Sequence, residues 1–215
     1  MSELKKRLST SFILVLIFIF SMNNIYILFL SLVFCYQQLF FEFMKLLKNI
    51  IYKKSKLLLY FLCLIIMIYL SALTISIFSI FYTDNFSNKL FLIFIISTSI
   101  SSDIGGYIFG KIFKGKKISK ISPNKTYSGM IGSFIFSLFT AKFIFWNYIE
   151  LENIFYWSIL ISLLTQLGDF FISFLKRKAK IKDTGNILPG HGGLLDRFDG
   201  IILSIPLGLL IFFYL

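Results

Sequence analysis

The sequence predicts an all-α protein: a polytopic integral membrane helix bundle of about seven transmembrane helices, with its chemistry in loops on one face. Three observations predict it. Hydrophobic residues make up 57% of the 215 residues and charged residues only 15%, where a soluble domain carries about 25% charged residues. Mean hydropathy is +0.84, more apolar surface than one soluble core of this size hides. Lys and Arg also fall in clusters at 5–7, 45–56, 111–125 and 176–182, between the apolar runs.

The first span is expected at Leu8–Met22. Lys5, Lys6 and Arg7 before it resemble the start of a secretory leader. No small-residue cleavage site follows, and Ile25 opens another apolar run at once, so a hairpin of two spans turned at Asn23-Asn24 is the better reading. The second span is expected at Ile25–Met44. Further spans are expected at Leu57–Tyr82, Leu90–Phe109, Gly129–Tyr148, Ile154–Leu175 and Ile201–Leu215. Seven spans put all the basic clusters on one side, and the opposite loops hold Asp84, Lys89, Glu150 and Glu152. The positive-inside rule makes the basic side cytoplasmic. Cys35 and Cys63 lie inside apolar runs and have neither a metal spacing nor a disulfide framework.

Net charge is +12, which suits a phosphate-rich partner such as a nucleotide or an anionic lipid surface. Two acids are costly by position. Asp169 and Asp103 lie inside the sixth and fourth spans, where an ionised group costs about 2.5–3.5 kcal/mol near the centre and less toward the ends. Such a group faces a wet site or a salt-bridge partner on another helix. Asp196 and Asp199 are three apart. They share one face if the last helix begins near Leu194, and paired carboxylates make a hard oxygen site. Acids at a solvated helix start give the same spacing.

The run Gly185-Asn186-Ile187-Leu188-Pro189-Gly190-His191-Gly192-Gly193 reads as an irregular loop. It is either an ordinary turn or a backbone cradle for phosphate. His191 is the only histidine, and a lone histidine is more often structural than a base. Six lysines lie between 111 and 125. They either fix topology or bind phosphate as point charges.

These residues together resemble the phosphatidate cytidylyltransferase (CDP-diacylglycerol synthase) family. The resemblance rests on Ser173-Phe174-Leu175-Lys176-Arg177, then Lys182-Asp183-Thr184-Gly185, then Leu188-Pro189-Gly190-His191-Gly192-Gly193-Leu194-Leu195-Asp196-Arg197-Phe198-Asp199. Asp103-Ile104-Gly105-Gly106-Tyr107 with Gly110-Lys111, and Ser122-Pro123-Asn124-Lys125-Thr126, are similar to two shorter family segments. Leu4 to Leu8 and Phe41-Glu42-Phe43 resemble the family's beginning. Ser128 stands where the family commonly has an acidic residue.

The resemblance implies a single membrane domain over 1–215, with N-terminal helices in 1–100 and a catalytic portion in 101–215. It implies the reaction of CTP with phosphatidate to give CDP-diacylglycerol and pyrophosphate, with the active site on the cytoplasmic face of a bacterial-type inner membrane. It implies magnesium, allows a second and monovalent ion, and suggests a homodimer without nucleic acid. Asp169, Asp196 and Asp199 are the implied metal ligands. Lys176, Arg177, Lys182 and Arg197 are the implied phosphate holders, with Lys111 and Lys125. Asp183 and His191 complete the catalytic group. Gly190, Gly192 and Gly193 would shape the nucleotide pocket. Asp103, Ser122, Thr126 and Ser173 are further substrate-side positions. Other readings of the same residues are a CDP-archaeol-type synthase, a polyprenol or phytol kinase, a homologue without activity, or a transporter lined by intramembrane acids.

Overall fold

The computed structural model describes residues 3–51, 55–118, 122, 125–148, 151–188 and 192–214. Every element named among them is helical: α1 (Glu3–Asn23), α2 (Ile25–Ile51), α3 (Lys56–Tyr82), α4 (Phe86–Phe113), α5 (Tyr127–Phe145), α6 (Leu151–Lys178), α7 (Leu195–Phe198) and α8 (Ile201–Tyr214). Among the described residues, α2 to α6 are long and apolar enough to cross a membrane, and the apolar parts of α1 and α8 are shorter. Five of the seven expected spans are thus helices of full crossing length among the described residues, and the other two coincide with α1 and α8. The protein is an integral membrane protein by this architecture. The last helix begins at Ile201, not near Leu194, so Asp196 and Asp199 do not share a helix as the spacing had allowed.

The chain forms two compact units. The first comprises Met1–Asn85 and Leu175–Phe198, and the second Phe86–Phe174 and Asp199–Leu215. In the first unit Asn24 makes the turn between α1 and α2. Its side-chain oxygen accepts the N–H groups of Tyr26 at 2.9 Å and Ile27 at 3.3 Å, satisfying donors that a helix start leaves open. Ser55 caps α3 in the same way through the N–H of Leu58. Leu28, Leu39, Leu46 and Leu47 of α2 and Leu59 and Leu70 of α3 form the buried core. The outward faces stay apolar: Phe12, Phe20 and Phe61 are all exposed. A helix that is hydrophobic all round is stable when lipid is its solvent.

The second unit is built on α4 and α5, which touch backbone to backbone. A Cβ added at Gly105 would collide with the carbonyl oxygen of Gly132 and lie 2.6 Å from Phe136 Cβ. Small residues at this spacing let membrane helices approach closely. Hydroxyls join the remaining helices. Ser99 bonds Ser204 of α8 at 2.9 Å and accepts from Thr165 of α6 at 2.9 Å, and Ser102 bonds Ser162 at 2.8 Å. Bonds of this kind contribute about 0.6 kcal/mol each in a bilayer. Phe91 and Phe212 stack nearby with ring centroids 3.9 Å apart, and Trp157 meets Phe91 edge-on.

The glycine contact gives a first prediction. Gly105→Val is expected to cost about 3 kcal/mol, because the obstacle is backbone. Gly208→Ala meets only the side-chain ends of Ile161 and Ile95, at 2.8 and 3.0 Å, and is expected to cost less. The thermal midpoint of each variant in detergent checks the order.

Candidate active site

In the first unit the last turn of α6 carries Lys176, Arg177 and Lys178. Cations at a helix C-terminus are favoured by its dipole. The helix is closed by Lys180 in the left-handed region, φ 57°, with the N–H of Ile181 donating to the Lys176 carbonyl at 3.1 Å. The chain then turns through Lys182 and Asp183, both exposed, to Thr184, which is 1% exposed. Leu188 and Gly192 exchange backbone hydrogen bonds at 3.0 and 3.2 Å. Gly192 has φ 87°, a conformation open to glycine at little cost.

Asp196 ties this loop together. Its Oδ1 accepts from Lys176 Nζ at 2.9 Å. Its Oδ2 accepts the N–H of Thr184 at 2.8 Å and the N–H of Gly193 at 2.9 Å, with Thr184 Oγ1 at 3.1 Å. Burial works to raise the pKa of this carboxyl. The Lys176 ammonium and the two backbone N–H groups outweigh that and hold it below the usual carboxylate range. Arg197, next in sequence, points outward and is exposed.

A second carboxylate reaches the same loop from α2. Glu42 is 6% exposed. Its Oε1 accepts the N–H of Leu194 at 2.8 Å, and its Oε2 accepts the N–H of Leu195 at 2.9 Å and the Thr184 hydroxyl at 2.5 Å. Sequence reasoning noted Glu42 only within Phe41-Glu42-Phe43. The signal was available: an acid inside a long apolar helix needs a partner, as Asp103 and Asp169 did.

In the second unit Lys125 forms an ion pair with Asp169, whose Oδ1 also accepts from Ser173 Oγ at 3.3 Å. Asp103 feels the charges of both Asp169 and Lys125. The lysine is delivered by a folded-back loop, in which Ile118 N–H donates to the Lys125 carbonyl at 2.9 Å and Tyr127 N–H to the Lys116 carbonyl at 3.0 Å. Ser122 takes part through its backbone, its carbonyl accepting the Lys125 N–H at 3.1 Å. Thr126 caps α5: its hydroxyl accepts the Gly129 N–H at 3.1 Å and bonds Ser128 Oγ at 3.0 Å. Ser128 Oγ also accepts the N–H of Gly115 at 3.3 Å. Lys111 lies 5.7 Å from the ring centre of Tyr107. Asp199 stands in the turn before α8, and a Cβ added at Gly168, beside Asp169, would lie 2.6 Å from the Asp199 carbonyl oxygen.

The structure therefore brings together Lys176, Thr184, Gly193 and Asp196 in one unit, and Asp103, Lys125, Asp169 and Ser173 in the other. Gly190 and His191 lie outside the described residues. Among the described residues no three His, Cys, Asp or Glu side chains converge. Magnesium does not require that. It is held by one or two carboxylates while phosphates and water fill its shell, and the acids of the second unit fit it in kind. Protein donors engage both oxygens of Asp196, as Lys125 and Ser173 engage those of Asp169.

Helices fit for a bilayer, with a loop in which one carboxylate holds a lysine and backbone N–H groups, define a polytopic membrane protein. The chain belongs to the cytidylyltransferase family, whose sequence profile matches residues 2–215. It is similar to a phosphatidate cytidylyltransferase of Rickettsia typhi, with 42% identity over 137 residues, 59% of this chain and 60% of that protein. A phosphatidate cytidylyltransferase of Synechocystis sp. is 36% identical over 131 residues, 59% of this chain and 44% of that one. One of Staphylococcus saprophyticus is 44% identical over 114 residues, 49% of this chain and 42% of that one. The matched stretch thus covers about two fifths to three fifths of these relatives' length.

Proposed function

We propose that this protein is a nucleotidyltransferase that moves the cytidylyl group of CTP to phosphatidate, giving CDP-diacylglycerol and pyrophosphate. One observation carries the reading: in a member of the cytidylyltransferase family, Asp196 of the motif at 173–199 aligns a lysine and two backbone N–H groups. A phosphate oxygen of phosphatidate attacks the α-phosphorus of CTP. A new P–O bond forms, the bond from the α-phosphorus to the bridging oxygen breaks, and pyrophosphate leaves with the electron pair. The phosphate monoester is largely ionised near neutral pH, its second pKa being about 6, so no strong base is required.

The protein's task is then to align two anions that repel each other. Arg177, Lys182 and Arg197 meet phosphate from exposed positions. Lys176 is held in place by Asp196. Asp169 and Asp199 are the carboxylates we assign to magnesium, with Asp103 beside Asp169. When bound, the metal neutralises charge on the nucleotide phosphates. The basic loops face the cytoplasm of a bacterial inner membrane, by the positive-inside rule.

The test is direct. Protein in detergent-lipid micelles receives labelled CTP, phosphatidate and magnesium, and label in the organic phase is counted. Label that requires phosphatidate and disappears with EDTA is the expected result. Calcium, which takes looser geometry, is expected to support a much lower rate than magnesium. Label with another lipid phosphate but not with phosphatidate would move the protein to a different lipid substrate.

A further inference from the structure

We infer that Glu42 is a positioning residue for the motif loop: from α2, far away in sequence, it fixes Thr184, Leu194 and Leu195 and thereby sets how tightly the loop takes a nucleotide. The inference rests on the function proposed above and extends it to a residue outside the motif.

The geometry is specific. One carboxylate engages three donors from both ends of the loop, at 2.5 to 2.9 Å. The group is almost wholly buried, so each contact is made away from water and its loss leaves a buried donor unpaired. Thr184 links the two acids. Its backbone N–H and Oγ1 face Asp196 Oδ2, while its single hydroxyl proton lies on the 2.5 Å contact to Glu42. Moving Glu42 therefore moves Thr184, and with it one of the N–H groups that hold Asp196. The close fit extends to Gly193, where an added Cβ would collide with both Thr184 Oγ1 and the Glu42 carboxylate. A loop that offers backbone N–H groups to phosphate binds only as well as those groups are aimed.

Glutamine at 42 keeps the shape but has one acceptor oxygen, so its NH2 must face a backbone N–H. The experiment compares Glu42→Gln with the wild-type full chain in detergent-lipid micelles. The first readout is amide hydrogen exchange of the peptide containing residues 194 and 195. At least tenfold faster exchange there, with unchanged exchange in α4 and α5, is expected. The second readout is the split between KM and kcat with CTP. A loss of folded protein lowers the apparent kcat and leaves KM alone, whereas a misaimed loop raises KM for CTP, here by at least fivefold. Unchanged exchange at 194–195, or a fall in rate with KM for CTP unchanged, overturns the inference. Should Glu42→Gln fail to fold, Thr184→Val removes one of the three donors and is read in the same way. If wild-type protein transfers nothing from CTP, the proposed function fails, and the exchange measurement still decides whether Glu42 holds the loop.

Discussion

Asp196→Asn is expected to lower cytidylyl transfer by about a hundredfold or more while the protein still inserts into the membrane. The asparagine oxygen can accept the N–H groups of Thr184 and Gly193, but its NH2 then faces the Lys176 ammonium. Lys176 and Asp196 have side chains only 15% and 8% exposed, and breaking a buried pair costs about 3–5 kcal/mol. The lower end, about 3 kcal/mol, fits a lysine that keeps some contact with water. The larger effect is on rate, since a displacement of about 1 Å in a positioning element costs about a hundredfold. The double variant Lys176→Met with Asp196→Asn removes the unpaired ammonium. It is expected to regain thermal stability and not activity. Recovery of both would reduce the pair to a structural role.

The same pair has a pH signature. The folded-state pKa of Asp196 lies below its unfolded value, so its contribution to stability is complete above the ordinary carboxylate range and is lost as pH falls through the depressed folded value. The midpoint difference between wild type and Asp196→Asn is expected to be flat above about pH 5 and to shrink below about pH 4. Thermal unfolding of both proteins across that range checks the sign.

Asp169→Asn is the second large expected effect, a loss of about a hundredfold in transfer, in line with removal of one aligned charged group from a site. Its fold should survive. The loop that carries Lys125 keeps its backbone ties from Ile118 to Lys125 and from Tyr127 to Lys116. Lys125→Met is the informative contrast: it leaves Asp103 and Asp169 with no lysine between their charges, and their mutual repulsion opposes folding. Its thermal midpoint is expected to lie below that of Asp169→Asn. Near-wild-type turnover in Asp169→Asn would remove that carboxylate from the chemistry.

Much of the fold was legible because lipid-facing helices are long, unbroken apolar runs. The expected spans match the cores of α2 to α6; the structure extends α2, α4 and α6 into their flanks, and α5 ends at Phe145, short of the expected Tyr148. Asn24 and Thr126 ended and began helices as their side-chain oxygens permit. The break before α8 was not legible. Asp196 reads as an acid in a first helical turn, which it is, but the turn belongs to the four-residue α7 and its carboxylate looks back to Thr184. Ser122 and Thr126, expected on the substrate side, also hold the loop and cap α5 through the Ser122 carbonyl and the Thr126 hydroxyl. The pairing of Lys125 with Asp169 follows from burial cost, whereas the choice of Lys125 among the loop's lysines depends on how the loop folds. That Glu42 needs a partner was legible from its place in an apolar helix, but its partners lie 142 to 153 residues away, a distance no local pattern spans.

That separation also sets a schedule for biogenesis. Ribosomes add about 5–20 residues per second, so α2 enters the bilayer roughly 8–30 s before Leu194 exists to receive Glu42. Through that interval the carboxylate must remain in headgroup water or carry a proton. The loop can close only after α6 has followed. Maturation of the site therefore waits until Leu194 and Leu195 have left the ribosome, and a polypeptide stalled short of Leu194 would hold α2 with its acid exposed to quality control.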